Sequence, residues 1–179
     1  MIIPLLGKAP KFGPGTFVAK SADVIGDVVT GKNCSIWYNT SLRGDVMPII
    51  IGDETNIQDN SVLHGTHKKC GAVLGSKVTV GHAVILHGCR IGDLCLIGMG
   101  SVIMDEAEIP DNCIVGAGSL VTENAKFPKG HLIMGRPAKA IRPLNERELA
   151  FLPQSAKNYM MYMDWYPNEY SLIPHKESR

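Results

Sequence analysis

The sequence predicts an all-β solenoid: a parallel β-helix of hexapeptide repeats, finished by a C-terminal α-helix. Three observations carry that expectation. An apolar residue recurs every six positions over most of the 179-residue chain, a small or slim residue stands four places after it, and glycine often follows it directly. A period of six fits neither the 3.6 of a helix nor the two-residue alternation of a strand. Self-similarity of this length means a solenoid, and hexapeptide units mean a parallel β-helix.

The opening residues are Val18, Val24, Thr30, Ile36 and Leu42, then, after a nine-residue step, Ile51, Ile57 and Leu63. They resume at Leu74, Val80 and Leu86, and again at Ile91, Ile97, Ile103, Ile109, Val115 and Val121. Only Thr30 is not apolar. The slim column holds Ala22, Val28, Cys34, Thr40, Val46, Thr55, Ser61, Val78, Val84, Cys95, Ser101, Ala107, Cys113 and Ser119. Three units make one triangular coil, with the opening aliphatics pointing inward and the slim residues near the corners. Coils stack at the strand spacing of about 4.8 Å, so ladders of Ile and Val fill a dry axial core. Gly31, Gly52, Gly75, Gly81, Gly92, Gly98 and Gly116 follow opening residues. They are expected to supply the φ that a corner needs without a Cβ penalty. An antiparallel sandwich is the competing architecture. Its strands would alternate with period two, broken by turns about every 8–12 residues. Here the phase holds unbroken from Ile91 through Val121.

The repeat resembles the left-handed β-helix of hexapeptide-repeat proteins, a hand that departs from the right-handed crossover rule. On this reading residues 1–17 are a lead-in, 18–125 form the β-helix in roughly six coils, and 126–179 form a C-terminal segment. Within that segment Phe127-Pro128-Lys129-Gly130 reads as a turn. Asn145 and Glu148 make a capping box. Helix is expected over about 145–166 in two stretches, one toward Pro153 and one from Ser155 to Tyr166. Tyr159, Tyr162, Met163 and Tyr166 then form a stripe at helical spacing that packs on the prism.

The length suits one domain. Net charge is +1 and the 20% of charged residues is spread without a basic stripe, which argues against nucleic acid. No run approaches the roughly 18 apolar residues of a membrane span. The apolar start Met1-Ile2-Ile3-Pro4-Leu5-Leu6 is short and lacks a preceding basic region, so it is a poor signal peptide. Five cysteines form an odd number, and Cys34, Cys95 and Cys113 fall in inward columns. The chain therefore reads as reduced and cytoplasmic.

His64 and His82 lie eighteen residues apart, one full coil, which predicts stacked neighbours. His87 follows His82 by five. Five extended residues span about 16 Å, more than the roughly 12 Å that two histidine reaches cover around one zinc. His82 and His87 of a single chain are therefore not expected to share a metal. Prisms packed into a cyclic oligomer would let copies share them, with sites at the subunit interfaces. Three neutral imidazoles leave one tetrahedral position open, the arrangement of catalytic zinc. Two alternatives stand beside this one: solvated surface histidines, and a local cluster of His64, His67 and Cys70.

The runs Ser35-Ile36-Trp37-Tyr38, Leu42-Arg43-Gly44-Asp45, Thr55-Asn56-Ile57-Gln58-Asp59, Val80-Gly81-His82 and Leu86-His87-Gly88-Cys89 look like a gamma-class carbonic anhydrase. The resemblance runs from about Phe17 to Tyr159 and is nearest to the bacterial hexapeptide-repeat subgroup of that family. It implies a homotrimer with Zn2+, or alternatively Fe2+ or Co2+, at each interface. His64 and His87 would come from one subunit and His82 from the next. The implied reaction is reversible hydration of CO2 to bicarbonate. By position, Gln58 matches the residue that orients the metal-bound water. Arg43, Asp45 and Asp59 match charged residues at the interface, and Tyr159 falls where relatives carry a tyrosine near the site. Each has a plainer role: an interface ion pair for Arg43 with Asp45 or Asp59, interface hydrogen bonding for Gln58, packing for Tyr159. The acidic proton-shuttling residues of the most active members are missing. Val46 follows Arg43-Gly44-Asp45, and the link from His64 to Val73 carries no acid, which implies slow turnover. Two other functions stay open. One is an acyl-CoA transferase or thioesterase on the same fold, suggested by the repeat and by Gly135-Arg136-Pro137-Ala138-Lys139. The other is a non-catalytic, metal-binding trimer.

Overall fold

In the computed structural model, which describes residues 1–176, strands stack in parallel on three sides and one long helix returns along the outside. Positions 177–179 of the expected C-terminal segment lie outside the described residues. The first side begins with Ser41 and Leu42 of the strand Ser41–Ile51, followed by Val62–His64, Ile85–His87, Val102–Ile103 and Leu120–Val121. The second continues from the far half of Ser41–Ile51 through Ala72–Leu74, Arg90–Ile91 and Glu108–Ile109. The third runs Phe17–Val18, Ser35–Ile36, Asn56–Ile57, Thr79–Val80, Leu96–Ile97, Ile114–Val115 and His131–Gly135. This is the left-handed parallel β-helix of hexapeptide repeats, with about seven turns. The antiparallel strand Ala138–Pro143 closes one end. At the other end Ile2–Ile3 pairs in parallel with Asp23–Thr30, so the lead-in adds a strand to the stack.

All seventeen opening residues are buried, none more than 5% exposed. Fully burying one such aliphatic contributes about 1.5–3 kcal/mol. The slim column departs from expectation at one place. Val46 is only half-buried. Ile49, fully buried, takes its slot between Val28 and Ala72. The nine-residue step inserts three residues into this coil and moves the inward position by three.

The repeat glycines serve a different purpose from the one expected. Gly31, Gly52, Gly81 and Gly98 do not adopt positive φ. The residue two places later does, as at Asn33, Glu54, Ala83 and Gly100. A Cβ on Gly31 would lie 2.7 Å from the backbone nitrogen of Asp53, and one on Gly98 2.5 Å from that of Ala117. These glycines let one coil approach the next.

The two expected helical stretches form one helix, α1 (Glu146–Asp164), which runs through Pro153. Proline removes one hydrogen bond, to the Leu149 carbonyl. Burial of Leu152, Ser155 and Ala156 on both sides of it holds the helix together. Nineteen residues at 1.5 Å each make about 28 Å, the height of about six coils. The expected stripe packs as expected, with Trp37 edge-on to Tyr159 and to Tyr166. The capping box forms: Asn145 Oδ1 accepts from Glu148 N at 2.9 Å, and Glu148 Oε2 accepts from Asn145 N at 2.9 Å. Asn145→Ala is expected to lower stability by about 1 kcal/mol, read as a small fall in chemical-denaturation midpoint with the slope unchanged.

After α1 the chain crosses back to the first coil, where Leu172 N donates to Val18 O at 2.7 Å. His175, 8% exposed, lies edge-on to Phe17. Its Nε2 donates to Tyr166 O, and its buried Nδ1 has no partner among the described residues. Burial pushes its pKa below the usual histidine value, and the Lys176 ammonium adds to this; the Tyr166 carbonyl and Asp164 carboxylate act in the opposite direction. A base with a lowered folded pKa stabilises the fold above its unfolded value near 6.5. That stability is lost as pH falls toward the folded value. The melting temperature is therefore expected to fall more between pH 7.5 and pH 5 in the wild type than in His175→Gln.

No helix among the described residues is long and apolar enough to cross a membrane. All five cysteines are free, and burial drives Cys34 up to about 11 and Cys95 to about 12, so these thiols are inert at neutral pH.

Candidate metal centre

The strands place His64 beside His87, not beside His82. His64 and His87 are register partners on adjacent strands, Val62–His64 and Ile85–His87. The expected stacking of His64 on His82 fails because the step from Leu63 to Leu74 holds five extra residues. The coil there is 23 residues long, the separation of His64 from His87 and also of Asp59 from His82. His82 therefore stacks on Asp59, at a corner after the third side.

The candidate residues fall into two groups on one chain. In the first, His64 Nδ1 faces His87 Nε2 at 3.3 Å, with ring centroids 5.2 Å apart. The other nitrogen of each ring serves a carboxylate. His64 Nε2 donates to Asp45 Oδ1 at 2.9 Å, and His87 Nδ1 donates to Asp105 Oδ1 at 2.6 Å. Arg43 donates to Asp45 Oδ2, and its Nη2 lies 3.4 Å from His64 Nδ1. Burial alone would raise the Asp45 carboxyl. Hydrogen bonds from His64 and Arg43 outweigh it and hold the pKa below the ordinary value. Burial likewise works against Asp105, but hydrogen bonds from Thr66 and His87 bring it to about 2.

In the second group, His82 Nδ1 donates to Asp59 Oδ2 at 2.9 Å, and Asp59 Oδ1 accepts from Tyr38 N. Gln58 stands next to Asp59, 5% exposed. Its Nε2 donates to Asn56 Oδ1 at 3.2 Å, Asn56 Nδ2 donates to Thr79 Oγ1 at 3.0 Å, and Thr79 meets Ser155 of α1 at 2.9 Å. A polar ladder thus ties Gln58 to the helix. Gln58 also borders a cleft of about 310 Å³ whose other walls include Met99, Ile114 and Phe151. Tyr159 packs on Trp37. Burial raises its hydroxyl to about 12, with a further push from the Asp59 carboxylate.

Among the described residues, no group of three or more His, Cys, Asp or Glu side chains of the single chain could hold a metal ion. The local set of His64, His67 and Cys70 is accordingly not assembled: His67 is exposed, and Cys70 sits beside Asp105. The pair of His64 and His87 nevertheless suits one. With each outer nitrogen turned to a carboxylate, the two inner nitrogens face each other at 3.3 Å and are the ones placed to ligate. Two ligands of a tetrahedral zinc, each about 2.0–2.1 Å from it, lie about 3.3–3.4 Å apart.

The model for the bacterial transferase hexapeptide (six repeats) family matches residues 71–105 and 88–123. A carbonic anhydrase of Geobacillus kaustophilus is 47% identical over 93% of this chain and 91% of its own length. The mitochondrial gamma carbonic anhydrase 1 of Arabidopsis thaliana is 42% identical over 88% of this chain and 59% of its own length. The chain belongs to the gamma carbonic anhydrase family. A solved hexapeptide transferase family protein from Anaplasma phagocytophilum superposes on this gamma carbonic anhydrase family member with TM-score 0.89. It is 43% identical, over 93% of this chain and 98% of that one.

Sequence reasoning missed Asp105 in this gamma carbonic anhydrase family member. A partial signal was available: Asp105 stands eighteen residues after His87, one position beyond a coil that is seventeen residues long there, with Leu86 paired to Ile103. It also missed Asn56, Thr79 and Ser155, because a ladder between two coils and a distant helix leaves no periodic trace.

Proposed function

We propose that the protein is a zinc-dependent carbonic anhydrase that interconverts CO2 and bicarbonate. In this reading it is a homotrimer in the cytoplasm, and Fe2+ or Co2+ are alternative occupants of the metal site. One observation carries it: two imidazole nitrogens face each other at 3.3 Å with their opposite nitrogens committed to Asp45 and Asp105. His64 and His87 would supply two ligands, and His82 of a neighbouring copy the third. When bound, zinc supplies a nucleophile at neutral pH by acidifying a water. The remaining work falls to this chain's residues. Asp45, Asp59 and Asp105 fix the tautomers that present His64 Nδ1, His82 Nε2 and His87 Nε2 as lone pairs. Gln58, held by Asn56, would orient the attacking oxygen from the wall of a partly apolar cleft suited to uncharged CO2. Arg43 balances the Asp45 charge.

The trimer reading is supported by Val62 and Ile85, 37% and 40% exposed on the face that carries His64 and His87. Apolar residues stacked beside the half-site suit a subunit contact. Five free cysteines suit a reducing compartment. The test is CO2 hydration by protein purified with zinc, and anaerobically with iron, against His87→Ala. A wild-type rate no higher than that of the variant ends the reading. Acyl-CoA turnover would favour a transferase or thioesterase, and full metal occupancy without turnover a non-catalytic trimer.

A further inference from the structure

We infer that Asp105, clamped by the 65–71 loop, is the positioning residue that fixes the tautomer and aim of His87. The metal-binding consequence rests on the reading above; the tautomer itself does not. Asp105 is 7% exposed. One carboxylate oxygen accepts from His87 Nδ1 at 2.6 Å and the other from Thr66 Oγ1 at 2.6 Å. Lys69 Nζ lies 3.6 Å from that second oxygen. Thr66, Lys69 and Cys70 all come from the five-residue excess that broke the eighteen-residue spacing, and Thr66 bridges Cys70 across the base of the loop. The carboxylate also rests against the chain beside His87: a Cβ on Gly88 would lie 2.7 Å from Asp105 Oδ1 and 2.5 Å from Cys70 Sγ. Glu106 N donates to Gly88 O at 2.7 Å, which locks the two turns together.

The physical consequence is specific. A buried carboxylate with both oxygens occupied cannot swing away, and it only accepts, so it demands a proton on His87 Nδ1. In the neutral ring that leaves Nε2 as the lone-pair nitrogen, and Nε2 is the atom that faces His64 Nδ1 at 3.3 Å. An imidazole without such a partner favours the proton on Nε2, where it would point at the other ring. The loop insertion therefore acts on His87 at one remove, by presenting Thr66 and Lys69 to the carboxylate.

The test uses full-length protein stripped of metal and labelled with 15N-histidine. Long-range proton–nitrogen spectra, with His87 assigned by its loss in His87→Gln, are expected to show the Nδ1–H form in the wild type. Asp105→Ala is expected to shift His87 toward Nε2–H. In the second arm, Co2+ affinity is measured by chelator competition. Asp105→Ala is expected to bind about 10–100-fold more weakly. Asp105→Asn, whose amide oxygen still accepts from Nδ1, should lose less, and Thr66→Val should lose least. An Asp105→Ala variant that keeps Nδ1–H overturns the inference. So does one that shows wild-type Co2+ affinity while the wild type binds Co2+. If Asp105→Ala does not fold, an unchanged affinity in both Asp105→Asn and Thr66→Val overturns it instead. A wild type that binds no Co2+ removes the metal reading alone, and the tautomer arm still decides this one.

Discussion

His87→Ala is expected to abolish metal retention and to cut CO2 hydration by more than about 100-fold. The size follows from comparison with the neighbouring shell. Losing a hydrogen-bond partner of a metal-ligating histidine typically costs about 10–100-fold in affinity or activity, and losing the ligand itself must cost more. The fold should survive. His87 sits at the outer end of the strand Ile85–His87, whose inward residue, Leu86, is fully buried and untouched by the change. Asp105 would lose a donor but keep Thr66 and Lys69. Metal content by elemental analysis, the hydration rate and the melting temperature of metal-free protein together separate ligand loss from unfolding. A variant that keeps both wild-type zinc and wild-type rate would show that the pair at 3.3 Å is a surface hydrogen bond.

Most of the solenoid is legible in the sequence because its core repeats one contact. Every opening aliphatic meets the same environment, so its identity is forced at each turn, and even Thr30 obeys the inward rule. Insertions are what the period hides. Three extra residues before Ile51 exchange Val46 for Ile49 in the core, and five extra residues after His64 exchange His82 for His87 as its neighbour. Counting in eighteens fails at the insertions and also at the seventeen-residue coil from Leu86 to Ile103, which hides the pairing of His64 with His87 and puts Asp105 one place off the local count. The glycine columns were visible, but their reason was not. Only the stacked backbone shows that they admit the next coil while the residue two places on takes the positive φ. The helix was split at Pro153 on local grounds. Burial on both sides of the proline outweighs one missing hydrogen bond.

Mixing two inactive variants is expected to restore activity, an outcome that a site held within one chain cannot give. His82→Ala keeps the pair of His64 and His87; His87→Ala keeps His82. If each metal takes two ligands from one subunit and one from the next, an intact site forms wherever a His82→Ala chain presents its pair to a His87→Ala chain. In a cyclic trimer holding both variants, one interface of three meets that condition. Random assembly from equal amounts makes about three quarters of trimers mixed, so about one quarter of all sites should be whole. Refolding or co-expressing the two variants should therefore recover about a quarter of wild-type zinc and hydration rate. Each variant alone should stay near zero. The division is set by geometry: His64 and His87 share one side of the prism, whereas His82 stacks on Asp59 at another corner. No recovery, with trimeric mass confirmed and exchange shown by differently tagged chains, would break the link between the subunit seam and the metal. Recovery well above a quarter would instead point to preferential mixed assembly, detectable as an excess of doubly tagged trimers.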